Sequence, residues 1–347
     1  MKYDAGIWDV FRLLGRRYMK IAIKGNCDRY RKFAPNMEFI KKAELIFLDR
    51  DASDEEVLRV AGDAEVLFVD AISEVTGNLM RGMRQLRLVH SEGVAYNKID
   101  WKTADELGIF VCNNKGANAK AVAEQTVLLM LACLRSAVVA DAQVRAGNQI
   151  QMKERMMVSG ITDLADCKVG LIGFGDIGMA VAKRLAAFEC ELFYYSRHRK
   201  AAAIEAEYGI TYLPLEKLAA TCDIISLHAA VTPETERMID AGFLARMKKE
   251  SYLINTARGD LVDNAALRAA LIHGTIAGAG LDTICPEPTT ADHPLIDLPR
   301  EVQHKVIYSP HLGGITTGSF RRMHRNMWEN ALRVSRGERP NHVVNHL

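Results

Sequence analysis

The stretch from Lys168 to Leu185, KVGLIGFGDIGMAVAKRL, constrains this chain more than any other. It opens on an apolar run, Val169 to Ile172, short enough for a buried strand. Gly173, Gly175 and Gly178 follow in the spacing G-x-G-x-x-G, and Ile177, Val181 and Leu185 then recur at helical spacing. Strand, glycine turn and helix in this order form the context in which a dinucleotide fingerprint has meaning. Gly173 makes the tight turn, Gly175 lets a pyrophosphate approach the backbone, and Gly178 lets the helix close on the strand. The unpaired N–H groups and positive dipole end of the new helix then face the phosphates. Asp176 and Ile177 lie inside that loop, so they join the three glycines as candidate cofactor-binding residues.

Composition narrows the alternatives. A length of 347 residues suits two domains. Basic and acidic residues number 45 and 43, a balance that gives no reason to expect nucleic acid or a membrane surface as partner. No apolar run reaches the length of a membrane-spanning helix. The seven cysteines are scattered with no C-x-x-C pair, so they read as reduced core residues of a cytoplasmic protein, and no metal site is expected. Residues 1–18 read as an extension without the features of a signal peptide, and Met19 could be a second start.

Along the chain, short apolar runs alternate with helix-compatible segments. Lys20–Lys24, Leu45–Leu48, Val66–Val69, Leu86–Val89 and Ile109–Cys112 read as strands of a first unit, with a basic helical stretch reaching Lys42. The segment Asn118 to Arg145 is long, apolar and helical in pattern. Its composition suits a buried helix or a subunit interface, and a homodimer formed through 118–145 is expected.

The second unit reads as six strands: Val169–Ile172, Glu191–Tyr195, Asp223–Leu227, Tyr252–Asn255, Ile276–Leu281 and Val306–Tyr308. Strands alternating with helices predict an α/β fold with parallel sheets. Ligands of such sheets bind outside the carboxyl ends of the strands. Those ends carry Gly173, Ser196–Arg197, His228, Thr256–Ala257–Arg258, Asp282–Glu287 and Ser309–His311, with Gly314 just beyond. Polar, titratable or glycine residues thus cluster at every strand end. The helical stretch from Ser319 to Arg336 is expected to return to the first unit. The expected division is therefore 19–117 with 312–347 as one domain and 118–311 as a nucleotide domain inserted in it.

These residues together resemble the D-isomer-specific 2-hydroxyacid dehydrogenase family. The matching pieces are GVAYNKID (Gly93–Asp100), NAKAVAEQ (Asn118–Gln125), GFGDIG (Gly173–Gly178), SLHAAVTPET (Ser226–Thr235), INTARGDLVD (Ile254–Asp263), AGLDTICPEP (Ala279–Pro288) and SPHLGG (Ser309–Gly314). The resemblance implies two Rossmann-like domains, a flavodoxin-like substrate domain and an NAD(P)-binding domain. It places Arg258, Glu287 and His311 on the family's catalytic positions. It puts Asp282 where the family contacts the nicotinamide, and Gly93 and Val94 in the loop that offers N–H groups to the substrate carboxylate, with Glu92 beside them. The implied partner is a small 2-keto or 2-hydroxy acid.

The trio also makes chemical sense by itself. Reducing a 2-keto acid needs a hydride, a proton for the carbonyl oxygen and a cation for the carboxylate. Arg258 offers a planar, permanently charged fork. Histidine exchanges protons near neutrality, so His311 can supply the proton. A carboxylate such as Glu287 beside it would favour the charged ring and fix its orientation.

Two departures bear on specificity. NAD enzymes place an acidic residue about twenty residues past the glycines. Here that place, eighteen after Gly178, is Ser196, followed by Arg197, His198, Arg199 and Lys200. This cluster would attract a 2′-phosphate, so NADP(H) is favoured, with NAD(H) as the alternative. Ser91 and Glu92 stand where many relatives carry a basic residue, and an acidic Glu92 argues against a phosphorylated or dicarboxylic substrate unless it points away. The leading expectation is a reductase of glyoxylate or hydroxypyruvate. A phosphoglycerate dehydrogenase is the alternative enzyme, and a cofactor-sensing binding protein resembling the family's corepressors is the alternative of another class.

Overall fold

The structure is a computed structural model and describes residues 18–347. Residues 1–17 of the expected extension lie outside the described residues. The chain divides into two compact units, one comprising the chain up to Asn118 with Thr317–Leu347, the other Ala119–Thr316. Each is built on one parallel sheet with helices between its strands, the α/β class that the alternating pattern implies.

The first unit has five strands: β1 (Lys20–Lys24), β2 (Glu44–Leu48), β3 (Val66–Val69), β4 (Leu88–Ser91) and β5 (Phe110–Cys112), in the order β2-β1-β3-β4-β5. Its last helix, Thr317–Ser335, presents Met327, Trp328, Ala331 and Val334 to Ile21, Ile23, Phe68 and Leu88 on one sheet face. The chain end follows β5, where the Asn345 side chain accepts from Val111 N–H and donates to the Ile109 carbonyl.

The second unit has seven strands: β6 (Lys168–Ile172), β7 (Glu191–Tyr195), β8 (Ile210–Tyr212), β9 (Ile224–Leu227), β10 (Tyr252–Asn255), β11 (Gly278–Leu281) and β12 (Val306–Tyr308). Their order is β12-β11-β10-β9-β6-β7-β8. The chain runs outward from β6 to β8 and returns to β9 on the other side of β6. That reversal is the switch point at which such sheets open a crevice. The strands are near-continuous apolar runs because both faces are covered. Leu171, Ile224 and Ile254 pack on one side, against Met130 and Leu134, while Ile172, Ile225 and Leu253 pack on the other, against Leu267 and Leu271.

The structure corrects five details. The nucleotide unit has seven strands where six are expected. β8 is only three residues long and buries Ile210 alone, so it leaves no apolar run to read. The basic stretch before Lys42 is two helices, Cys27–Phe33 and Glu38–Lys42, because Pro35 interrupts the ladder. The long helix from Asn118 is likewise two, Ala119–Leu134 and Ala137–Arg145, bent by 60° at Ser136, which adopts φ 45°. A further helix, Gln149–Ser159, follows them unanticipated. Finally, β4 begins at Leu88 and ends on His90 and Ser91, two polar residues that are wholly buried and hydrogen-bonded.

Candidate active site

The glycine turn after β6 has the geometry its sequence demands. Gly173 adopts φ +97°, and a Cβ there would meet the His228 backbone at 2.5 Å. A Cβ on Gly178 would meet the Gly173 carbonyl at 2.4 Å, so helix Asp176–Leu185 can close on the strand only through glycine. Gly175 differs, since nothing lies within 4 Å of its Cβ position. It begins the helix without any side-chain cap, which leaves the first N–H groups for an external acceptor. Asp176 is exposed and Ile177 packs into the core. An uncapped helix start beside open space fits a dinucleotide pyrophosphate, and the glycine turn would hold it.

The end of β9 completes this turn. The His228 Nε2 lies 3.0 Å from Ser226 Oγ, and Nδ1 is buried without a partner. Burial pushes its ring down to about 3, so it stays neutral at any working pH. At the end of β7, the basic cluster splits in two. Arg199 is held by Glu205 through two bonds of 2.8 Å, and Arg199 with the Tyr194 hydroxyl brings that carboxyl down to about 2. Arg197 is exposed, and its Nη2 meets only Glu234 at 3.2 Å and Thr232 at 3.4 Å. Ser196 Oγ donates to the His198 carbonyl. Arg197 is thus an exposed cation at the strand end, held less tightly than Arg199.

Arg258 follows β10. Asn255, 1% exposed, shapes its turn by accepting from Ala257 N–H and donating to the Arg258 carbonyl. Thr256 is buried, with its hydroxyl 2.8 Å from that of Thr126. The Arg258 guanidinium donates to the Ala257 carbonyl, and among the described residues no carboxylate pairs with it. Directly after it, a Cβ on Gly259 would meet the Cys285 backbone nitrogen at 2.1 Å. That glycine therefore lets the Arg258 turn pack against the segment leading to Glu287. Glu287 in turn reaches His311, whose Nδ1 lies 2.9 Å from Oε2 and 3.1 Å from Oε1. With Nδ1 donating to the carboxylate, Nε2 is the ring atom left to exchange a proton with a substrate.

His311 itself sits at φ +56°. Such a conformation costs a non-glycine residue roughly 1–2 kcal/mol and persists only where its surroundings enforce it. Asp282 does so. Its backbone carbonyl accepts from His311 N–H at 2.9 Å, and its carboxylate accepts from Leu312 N–H at 2.9 Å and Gly313 N–H at 2.8 Å. The Ser309 hydroxyl also donates to it, and Gln125 donates to that hydroxyl. The Asp282 carboxylate, 3% exposed, thus spends most of its capacity on the turn carrying His311. Gly314 ends this turn.

In the first unit, the loop after β4 has a one-sided hydrogen-bond pattern. Asn114 Nδ2 donates to the Ser91 and Glu92 carbonyls, Asn114 N–H to that of Gly93, Asn113 Nδ2 to that of Val94, and Ser91 Oγ to that of Ala95. Five successive acceptors are consumed internally. The Val94 and Ala95 N–H groups donate to no other protein group among the described residues. The loop therefore offers donors, as an anion site requires. Gly93 is obligatory, since a Cβ would meet that of Ala71 at 2.6 Å.

Glu92 is placed differently from its neighbours. It is 4% exposed, and its carboxylate accepts from Arg29 Nε at 2.8 Å and faces His324 Nε2 at 2.8 Å. It stands behind the loop, its charge compensated by partners. The argument from Glu92 against a phosphorylated or dicarboxylic substrate therefore does not hold. Asn113, Asn114 and Asn255, which shape these turns, escaped the sequence reading, and Ser309 figures there only as a strand-end residue. Their position at strand ends was the available signal.

A parallel sheet with an open glycine turn, a free arginine fork and a carboxylate-oriented histidine at its strand ends defines a dinucleotide-dependent oxidoreductase. Residues 127–313 match the family model for the D-isomer specific 2-hydroxyacid dehydrogenase, NAD binding domain. The chain is 36% identical over 283 residues to a glyoxylate reductase of Korarchaeum cryptofilum, covering 82% of this chain and 83% of that protein. It is 32% identical over 286 residues to a hydroxypyruvate reductase of Thermotoga maritima, covering 82% and 89%. The solved structure of D-lactate dehydrogenase with NAD+ from Lactobacillus jensenii superposes with a TM-score of 0.79 at 27% identity, covering 94% of this chain and all of that one. The chain belongs to the D-isomer-specific 2-hydroxyacid dehydrogenase family.

Proposed function

We propose that this protein is an NADP(H)-preferring reductase of small 2-keto acids, glyoxylate or hydroxypyruvate, to the D-2-hydroxy acid. The observation that carries the reading is the Glu287–His311 pair, with Nε2 free, in the same unit as an Arg258 fork free of carboxylates. The reduced nicotinamide, when bound, supplies the hydride to the carbonyl carbon. Arg258 receives the substrate carboxylate through two parallel N–H bonds. His311 donates its Nε2 proton to the carbonyl oxygen as negative charge develops there, and Glu287 fixes the ring's orientation through Nδ1. The Val94 and Ala95 N–H groups are suited to the same chemical class of anion.

The preference for NADP(H) rests on Arg197 at the end of β7 and the absence of a carboxylate at Ser196. The supporting relatives reduce glyoxylate and hydroxypyruvate by name, which is the basis for the substrate choice. Glyoxylate, hydroxypyruvate, pyruvate and phosphohydroxypyruvate assayed with both reduced nicotinamides test the reading. Turnover of the first two with NADPH supports it, and turnover with none of the four refutes it.

A homodimer belongs to the same proposal. The helices Ala137–Arg145 and Gln149–Ser159 have no buried residues, and Val138, Val144, Ile150, Met157 and Val158 are all more than half exposed. A second copy of this surface would bury them on both sides. Sedimentation of the protein as a monomer at micromolar concentration would refute this. A cytoplasmic location is proposed on the seven free cysteines.

A further inference from the structure

The segments that follow four consecutive strands of the first unit are joined by one charge network centred on two buried carboxylates. Arg29 comes after β1, Arg50 after β2, Asp70 after β3 and Glu92 after β4. Arg29 bridges the carboxylates of Asp70 and Glu92, and Arg50 Nε donates to the other oxygen of Asp70. From the last helix, His324 reaches Glu92. The side chains of Asp70, Glu92 and His324 are 3%, 5% and 0% exposed. Burying two neighbouring carboxylates is costly, and charge partners alone seldom recover that cost as stability. What such a network does secure is a fixed geometry.

The geometry it fixes is that of the loop beginning at Glu92. We propose that Glu92 is a positioning residue: by anchoring to Arg29 and His324 it holds the Gly93–Ala95 backbone so that its free N–H groups receive the substrate carboxylate. This rests on the reading of that loop as an anion site. Two observations point to Glu92 in particular. Its side chain leaves the loop on the buried side, so it cannot itself meet a substrate. Its N–H is bonded to the Val69 carbonyl at 2.7 Å, so side chain and backbone clamp the loop's first residue from two directions. The residues beyond it lack such anchors on their own side chains. Binding through backbone donors depends on their placement to within about half an ångström, so loosening the clamp weakens carboxylate binding.

The test is Glu92→Gln in the full-length protein, with oxamate as a carboxylate probe that is not reduced. KM for glyoxylate and Ki for oxamate rise about tenfold, the size of a lost charge-assisted bond. The kcat stays within about threefold, and NADPH binding measured by fluorescence is unchanged. A folded variant whose KM and Ki stay native overturns the proposal, and so does one whose kcat falls while KM and Ki do not move. Should Glu92→Gln fail to fold, Arg29→Lys keeps the charge, loses the fork and is expected to shift KM and Ki in the same direction by a few-fold. Val94→Pro separates the two readings by deleting a loop donor. If it leaves Ki for oxamate native, the loop does not receive the carboxylate. If it raises Ki while Glu92→Gln does not, only the role of Glu92 is overturned.

Discussion

Asp282 holds His311 in its left-handed conformation. The backbone carbonyl of one accepts the N–H of the other at 2.9 Å, and the Asp282 carboxylate takes the next two N–H groups of the turn. The family resemblance places Asp282 at the nicotinamide. In this structure its carboxylate is also the support on which the proton donor is aimed.

Asp282→Asn therefore separates support from binding. An amide offers one acceptor oxygen, so either Leu312 or Gly313 loses its partner, and the strain at His311 is no longer enforced. The expected result is a fall in the rate of keto-acid reduction of about 10²-fold, the scale of a small misplacement of a reacting group. Single-turnover reduction with NADPH prebound measures this without interference from cofactor affinity.

Arg197→Ala tests cofactor choice. Arg197 lies at the end of β7, exposed and only loosely paired with Glu234, whereas Arg199 is tied to Glu205 by two bonds. Its removal is expected to weaken NADPH binding by roughly 1–3 kcal/mol, the range for a charged hydrogen bond, and to leave NADH nearly unchanged. Equal losses for both, read by fluorescence titration, would show that Arg197 does not contact the 2′-phosphate.

Two buried histidines predict acid sensitivity. Burial lowers His90 to about 4 and His228 to about 3, both from 6.5. In each case the unfolded chain binds the proton first. Stability is thus complete above about pH 6.5 and lost as pH falls through the window toward the folded values, at full extent by roughly 3 kcal/mol for His90 and roughly 5 kcal/mol for His228. His90 accepts from Asn330 at Nε2 and sits 2.8 Å from the Ser91 carbonyl at Nδ1, a pairing that suits the neutral ring. Urea denaturation between pH 7 and pH 4.5 measures the slope, which is expected to flatten in His90→Gln.

Much of the fold and part of the site could be read from sequence because they rest on local rules. The strand–glycine–helix order around Gly173 dictates its own turn, and the apolar runs of β6, β9 and β10 announce strands buried on both faces. What escaped depends on partners distant in the chain. β8 is an edge strand with one buried residue. The break at Ser136 is a backbone event with no proline to signal it. Glu92 looked like a charge at the substrate mouth because Arg29 and His324, 63 and 232 residues away, are invisible to local patterning. Asp282 showed its family role in sequence but not its grip on His311, which needs the backbone path of 309–313.

The role of His311 as proton donor is the centre of this account, and one variant tests it most directly. His311→Gln keeps a polar side chain but can neither take a charge nor hand over a proton. Glyoxylate reduction by NADPH in this variant is expected to slow by about 10² to 10⁴, the contribution of one positioned acid. NADPH binding is expected to stay native, because the Gly173–Gly178 turn holds the cofactor independently of that ring. A rate within a few-fold of the native enzyme, in a protein that binds NADPH normally, would contradict the assignment.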